Sequence, residues 1–153
     1  MEQELYNKVL ARLQALCSRQ ECCSSDIYRK ALKAFEGDEE MASRLLESLK
    51  NDRFVDDLRY ASAYAREKSS LSGWGRVKIA YMLSGKGIAR DTVNKALDDI
   101  DSGAAGSRLE SLLAAKYRTI SEDPQCRLKL LRYALGRGYG YDEVKDAVER
   151  LMH

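Results

Sequence analysis

A motif near the middle of the chain returns fifty-one positions later (76 to 127): Arg76-Val77-Lys78-Ile79 falls on Arg127-Leu128-Lys129-Leu130. At the same offset Gly85-Lys86-Gly87 falls on Gly136-Arg137-Gly138, Asp91-x-Val93 on Asp142-x-Val144, and Ala96 on Ala147. Basic, apolar and glycine positions coincide, so one local fold must serve both copies, and each copy must bury its apolar face against a neighbour. A weaker copy begins near Ser24. There Lys33-Ala34-Phe35 matches Lys86-Gly87-Ile88 and, after one inserted residue, Met41 and Leu45 fall on Val93 and Leu97.

The repeated unit reads as helix. Apolar residues recur at spacings of three and four, as in Leu5, Val9, Leu13, Leu16 and Cys17, and β-branched and aromatic residues nowhere alternate with polar ones over a useful length. Start signals stand at Ser24-Ser25-Asp26, Asp38, Asp56 and Asp123-Pro124, the last with Asp as cap and Pro at the first helical position, and a longer helix follows Asp101-Ser102-Gly103. Gly85-Lys86-Gly87 and Gly136-Arg137-Gly138 end helices in the manner of a C-terminal glycine. The expected fold class is all-α: three tandem three-helix repeats, at 1–52, 53–102 and 103–153, stacked as an elongated, curved array.

Composition removes most chemistry. The one histidine is the final residue, His153, and there is no phosphate-cradling glycine loop and no activated nucleophile, so the chain is not expected to be an enzyme. Cys17, Cys22, Cys23 and Cys126 form no C-x-x-C pair and have no histidine near them, which points to reduced thiols and no metal or cofactor. Asp56-Asp57 at a helix start is most simply a cap. Charged residues make up 33% of the chain and the start Met1-Glu2-Gln3-Glu4 is acidic, so no membrane span is expected and a cytosolic location is.

Formal net charge is only +2, but its distribution is polarised. Residues 66–90 carry a net +5, residues 116–137 a net +4, and residues 36–57 a net −5. The two basic blocks occupy the same element of consecutive repeats, so stacking should align them on one surface suited to a phosphate backbone or an acidic protein groove. Trp74, Tyr81, Tyr133, Tyr139 and Tyr141 lie close enough in sequence to supply stacking surfaces, or to serve as core anchors.

Two segments are more specific. Arg53-Phe54-Val55-Asp56-Asp57-Leu58-Arg59-Tyr60-Ala61, then Gly73-Trp74-Gly75-Arg76-Val77-Lys78-Ile79 and Leu83-Ser84-Gly85-Lys86-Gly87-Ile88, resembles the central repeat of the RecX family of recombinase regulators. The first repeat departs from that pattern at Lys33-Ala34-Phe35 and the third at Gly138-Tyr139. The resemblance implies a non-enzymatic negative modulator of RecA that lodges in the groove of the RecA filament on single-stranded DNA. Such a modulator limits filament growth and depresses strand exchange, ATP hydrolysis and coprotease activity, placing it in DNA repair, recombination and the SOS response. Carried onto this chain, it implies that Arg76, Lys78 and Lys86 face the filament or its DNA. Arg127, Lys129, Arg132 and Arg137 join them through the internal repeat, and Trp74 anchors either its turn or a partner. The implied partners are RecA and single-stranded DNA, met directly or through RecA, with no small-molecule substrate and with the chain as a monomer. Two other readings stay open on the sequence: a stand-alone helical DNA-binding protein, and a generic helical adaptor.

Overall fold

The computed structural model describes residues 1–153, and every regular element in it is a helix, as the repeat predicts. In chain order these are α1 (Glu2–Arg19), α2 (Ser24–Ala34), α3 (Glu39–Asn51), α4 (Asp57–Ser70), α5 (Arg76–Gly85), α6 (Arg90–Asp98), α7 (Ser102–Ile120), α8 (Cys126–Gly136) and α9 (Tyr141–Met152). No helix is long and apolar enough to cross a membrane.

The starts obey the predicted caps in part. Asp38 accepts from the Met41 N–H, Asp56 from the Arg59 N–H, and Asp101 from the N–H groups of Gly103 and Ala104. Two starts differ. The N-cap of α2 is Cys23, which has no capping oxygen, and the acceptor for the Ser24 N–H is the Asp57 carboxylate at 2.8 Å, brought from the start of α4. Asp123 receives the Gln125 N–H at 2.8 Å in a turn, and α8 begins only at Cys126, two residues after the proline.

The first repeat keeps a stricter register than its sequence suggests. α3, α6 and α9 start at Glu39, Arg90 and Tyr141, each fifty-one positions after the last (39 to 90 to 141). The turns before them place Glu36 (φ 52), Gly87 (φ 77) and Gly138 (φ 96) in the left-handed region at the same interval. Glu36, not Ala34, therefore stands where Gly87 stands, and the buried Ala42 and Leu45 take the places of Val93 and Ala96. The sequence match slipped because an acidic residue holds a glycine position.

Two compact units divide the chain. The first comprises Met1–Ala63 with Leu83–Ala96, the second Tyr64–Met82 with Leu97–His153. In the first, α1, α2 and α3 enclose Val9, Leu13, Ile27, Ala31, Leu45 and Leu49, with Tyr6 stacked on Phe35. In the second, α7, α8 and α9 enclose Leu109, Leu113, Leu130, Ala134, Val144 and Val148. Each leucine fully buried in these cores contributes about 1.5–3 kcal/mol, so the cores and not local helix preference hold such short helices.

Candidate functional site

The site grows from two glycine turns of the second unit. The Gly73-Trp74-Gly75 turn between α4 and α5 docks on the Arg137-Gly138-Tyr139 turn between α8 and α9. The Gly75 N–H donates to the Arg137 carbonyl and the Val77 N–H to the Gly138 carbonyl, both at 2.9 Å. The Tyr139 hydroxyl donates to the Gly73 carbonyl at 3.0 Å, and Arg137 Nη2 donates to the Ser72 carbonyl at 2.6 Å. Side chains would prevent this approach: a Cβ on Gly75 would lie 2.4 Å from the Gly138 oxygen, and one on Gly138 only 2.2 Å from the Lys78 Cβ. The glycines thus do more than end helices.

On either side of the dock, cations lie over aromatic faces. Lys78 Nζ lies 4.4 Å and Lys68 Nζ 5.0 Å from the Trp74 ring centre, and Tyr64 meets the same indole edge-on at 6.4 Å. Lys116 Nζ and the Arg137 guanidinium lie 5.2 and 5.8 Å from the Tyr133 ring. Each such pair is worth about 0.5–1 kcal/mol when exposed, and the three ammonium groups have no carboxylate partner that would keep them from phosphate oxygens. Burial pushes the Tyr139 phenol up from its ordinary value, against the opposing charges of Arg108 and Arg137, so it remains a neutral hydrogen-bond donor at the dock.

Of the residues singled out in the sequence, Trp74, Arg76, Lys78 and Arg137 meet at this pair of turns. Arg76 Nη1 donates to the Leu97 carbonyl at 2.8 Å, satisfying the last turn of α6. The others are arranged differently. Arg127 pairs with Glu149 at 3.7 Å, and Lys129 pairs with Asp123, whose carboxyl is held below its ordinary range by that contact and by the Gln125 N–H. Arg132 is exposed on α8 and makes no ion pair. Lys86 belongs to the first unit, where its ammonium lies 5.9 Å from the Tyr60 ring and its carbonyl accepts from the Ser25 hydroxyl. Burial would lower the Lys86 ammonium, but hydrogen bonding to Tyr60 and nearby charge outweigh it and hold it above its ordinary value.

Three members were missed. Lys68 and Lys116 sit within the basic blocks but nothing in their spacing distinguishes them, and Arg108 lies outside both blocks. Lys68 is tied to the turn through its carbonyl, which accepts the Trp74 N–H at 2.9 Å, a contact that the sequence does not show.

Residues 56–97 match the family model described as RecX, second three-helix domain. A regulatory protein RecX from Clostridium botulinum (strain Alaska E43 / Type E3) is 31% identical over 161 residues, covering 95% of this chain and 74% of that protein. The namesake from Clostridium perfringens (strain SM101 / Type A) is 33% identical over 125 residues, covering 79% of this chain and 57% of the relative. The chain thus spans little more than half the length of several of the curated relatives it matches. Among solved structures, RecX from Lactobacillus salivarius superposes with a TM-score of 0.87 at 21% identity over 97% of each chain. A second RecX crystal structure gives a TM-score of 0.82 at 24% identity, covering 93% of this chain and 72% of that one.

Proposed function

The chain belongs to the RecX family, and from that premise we propose that it is a negative modulator of the RecA recombinase, one that binds the RecA filament on single-stranded DNA and limits its growth and ATP hydrolysis. The observation that supports this reading is the cation–aromatic cluster of the second unit, in which Lys68 and Lys78 flank Trp74 while Lys116 and Arg137 flank Tyr133. A cluster of this kind offers a stacking platform beside several phosphate-seeking charges and has no nucleophile or acid/base pair among its members, which suits binding and not turnover. Its ligand is a repetitive polyanion. A partner built from identical subunits on a regular strand lets many modest contacts add, so no deep pocket is needed.

The test is RecA-catalysed ATP hydrolysis on single-stranded DNA with increasing amounts of the protein. Hydrolysis falling in proportion to added protein is expected, with the loss relieved by Lys78→Glu combined with Arg132→Glu in a chain of unchanged helicity. Undiminished hydrolysis with a molar excess of folded protein would overturn the proposal. Tight binding to one duplex sequence without RecA would favour a stand-alone DNA-binding protein instead.

A further inference from the structure

We propose that the cleft between the Ser70–Gly73 turn and α7 is a phosphate subsite that takes one phosphodiester of a single-stranded polynucleotide; it rests on the nucleic-acid part of the reading above. The cleft measures about 430 Å³, and its polar lining is Ser70, Ser72, Ser107, Ser111, Arg108 and Arg137, without a carboxylate. It lies wholly within the second unit.

Both guanidiniums are half-buried, and neither makes an ion pair. Arg108 Nη2 donates to the Ser69 hydroxyl at 2.5 Å and Arg137 Nη2 to the Ser72 carbonyl at 2.6 Å, but the buried Nε of each has no acceptor. Of the nearby acids, Asp99 faces Arg66 at 4.0 Å, Asp101 caps α7, and Glu143 lies outside the cleft, beside Tyr139. Two partly desolvated positive charges lining one cleft, with serine hydroxyls among the same lining residues, call for a ligand that only accepts hydrogen bonds and carries negative charge. An oxyanion meets that description. Gly73 (φ +68) fits the same purpose, since a Cβ there would stand 3.2 Å from Arg137 Nη2 and crowd the guanidinium.

The rim selects a polynucleotide over a free anion. Leu71, in the cleft wall, is 80% exposed, so a base attached to the held phosphate would find an apolar surface beside it. No such rim is needed by a small anion.

The test introduces a carboxylate into the cleft: Ser111→Glu, an exposed position, leaves both arginine hydrogen bonds in place while offsetting one of their two charges. Binding of fluorescein-labelled oligo(dT) is followed by anisotropy across salt concentrations, and thermal unfolding by circular dichroism. Ser111→Glu is expected to weaken oligo(dT) about tenfold and to reduce the log–log salt slope by about 0.7, while raising the melting temperature. Ser111→Ala should bind within about twofold of the parent. Arg108→Gln, if folded, should repeat the loss. Unchanged oligo(dT) binding by a folded Ser111→Glu protein would overturn the subsite. So would a parent chain that binds no oligo(dT) at low salt yet still inhibits RecA, a result that leaves the RecA reading standing on protein contacts alone.

Discussion

Replacing Gly138 by alanine should separate the two docked turns. A Cβ there would lie 2.2 Å from the Lys78 Cβ and 2.7 Å from the Lys78 nitrogen, and the backbone nitrogen cannot swing aside as a side-chain tip could. The left-handed conformation at φ +96 costs an L-residue about 1–2 kcal/mol. The clash is relieved either by strained repacking, at about 1–3 kcal/mol, or by giving up the Gly75-to-Arg137 and Val77-to-Gly138 hydrogen bonds, at about 1 kcal/mol each. These are alternatives, so the total is about 2–5 kcal/mol, or about 10 °C in melting temperature for a domain of this size. Two controls isolate the contact. Gly37 has a similar φ of +90 with nothing within 4 Å, so Gly37→Ala meets strain alone and should cost about 1–2 kcal/mol. Gly136, helical and equally unobstructed, should gain about 0.5 kcal/mol from alanine. Circular dichroism melts and urea titrations of the three variants give the comparison. If Gly138→Ala costs no more than Gly37→Ala, backbone docking does not hold these turns together.

Other consequences are as direct. Arg132→Glu, which removes an unpaired cation, should relieve RecA inhibition more than Lys129→Glu, whose cation is already shared with Asp123; equal effects in the ATPase assay would contradict this ordering. Asp57→Ala leaves the Ser24 N–H without its acceptor and should lower stability by about 1 kcal/mol, with faster amide exchange at the start of α2 as the local readout. Burial, aided by neighbouring Cys22, pushes the Cys17 thiol up from 9.0 to about 12. Because the folded chain favours the protonated thiol, its contribution to stability is intact below about pH 9 and is lost as pH climbs toward 12. Alkylation of Cys17, resolved by mass spectrometry, should therefore keep accelerating between pH 9 and 11, and a plateau near pH 9.5 would refute the shift.

Helices were legible because period and caps are local. The buried faces of α3, α6 and α9 follow the three-and-four rhythm, and Asp38, Asp56 and Asp101 cap where the residue type demands. What was not legible depends on contacts made across the chain. Asp57 reaches the start of α2 from thirty-three residues away, so Ser24-Ser25-Asp26 looked like a cap although the capping oxygen lies elsewhere. In α1, Val9 and Leu13 are buried as their spacing suggests, but Tyr6, stacked on Phe35, takes the buried place at the helix start and leaves Leu5 exposed. Glu36 in a left-handed turn hid the register of the first repeat, since sequence alone reserves that place for glycine. Trp74, Arg76, Lys78 and Arg137 share one neighbourhood, yet the reason they meet, a backbone-to-backbone dock that tolerates no Cβ, is not written in any single segment.

Counting charge along a chain treats every lysine and arginine alike, and the structure divides them into three kinds. Arg76 and Arg137 donate to the backbone carbonyls of Leu97 and Ser72, so truncating them harms the fold before it harms any partner. Arg127 and Lys129 face Glu149 and Asp123 in exposed pairs, worth at most about 1 kcal/mol, which a strand of phosphates could displace by competition. Lys68, Lys78, Lys116 and Arg132 answer to no acid and are held, where they are held, only by aromatic faces. A polyanion meets the last group at no cost in broken ion pairs, the second at a small cost, and the first only through the donors that their backbone hydrogen bonds leave over. The salt dependence of binding should therefore follow the third group together with the cleft arginines Arg108 and Arg137, and the melting temperature the first. A scan that read only inhibition would merge the two effects and mistake Arg76 for a contact of the same kind as Arg132.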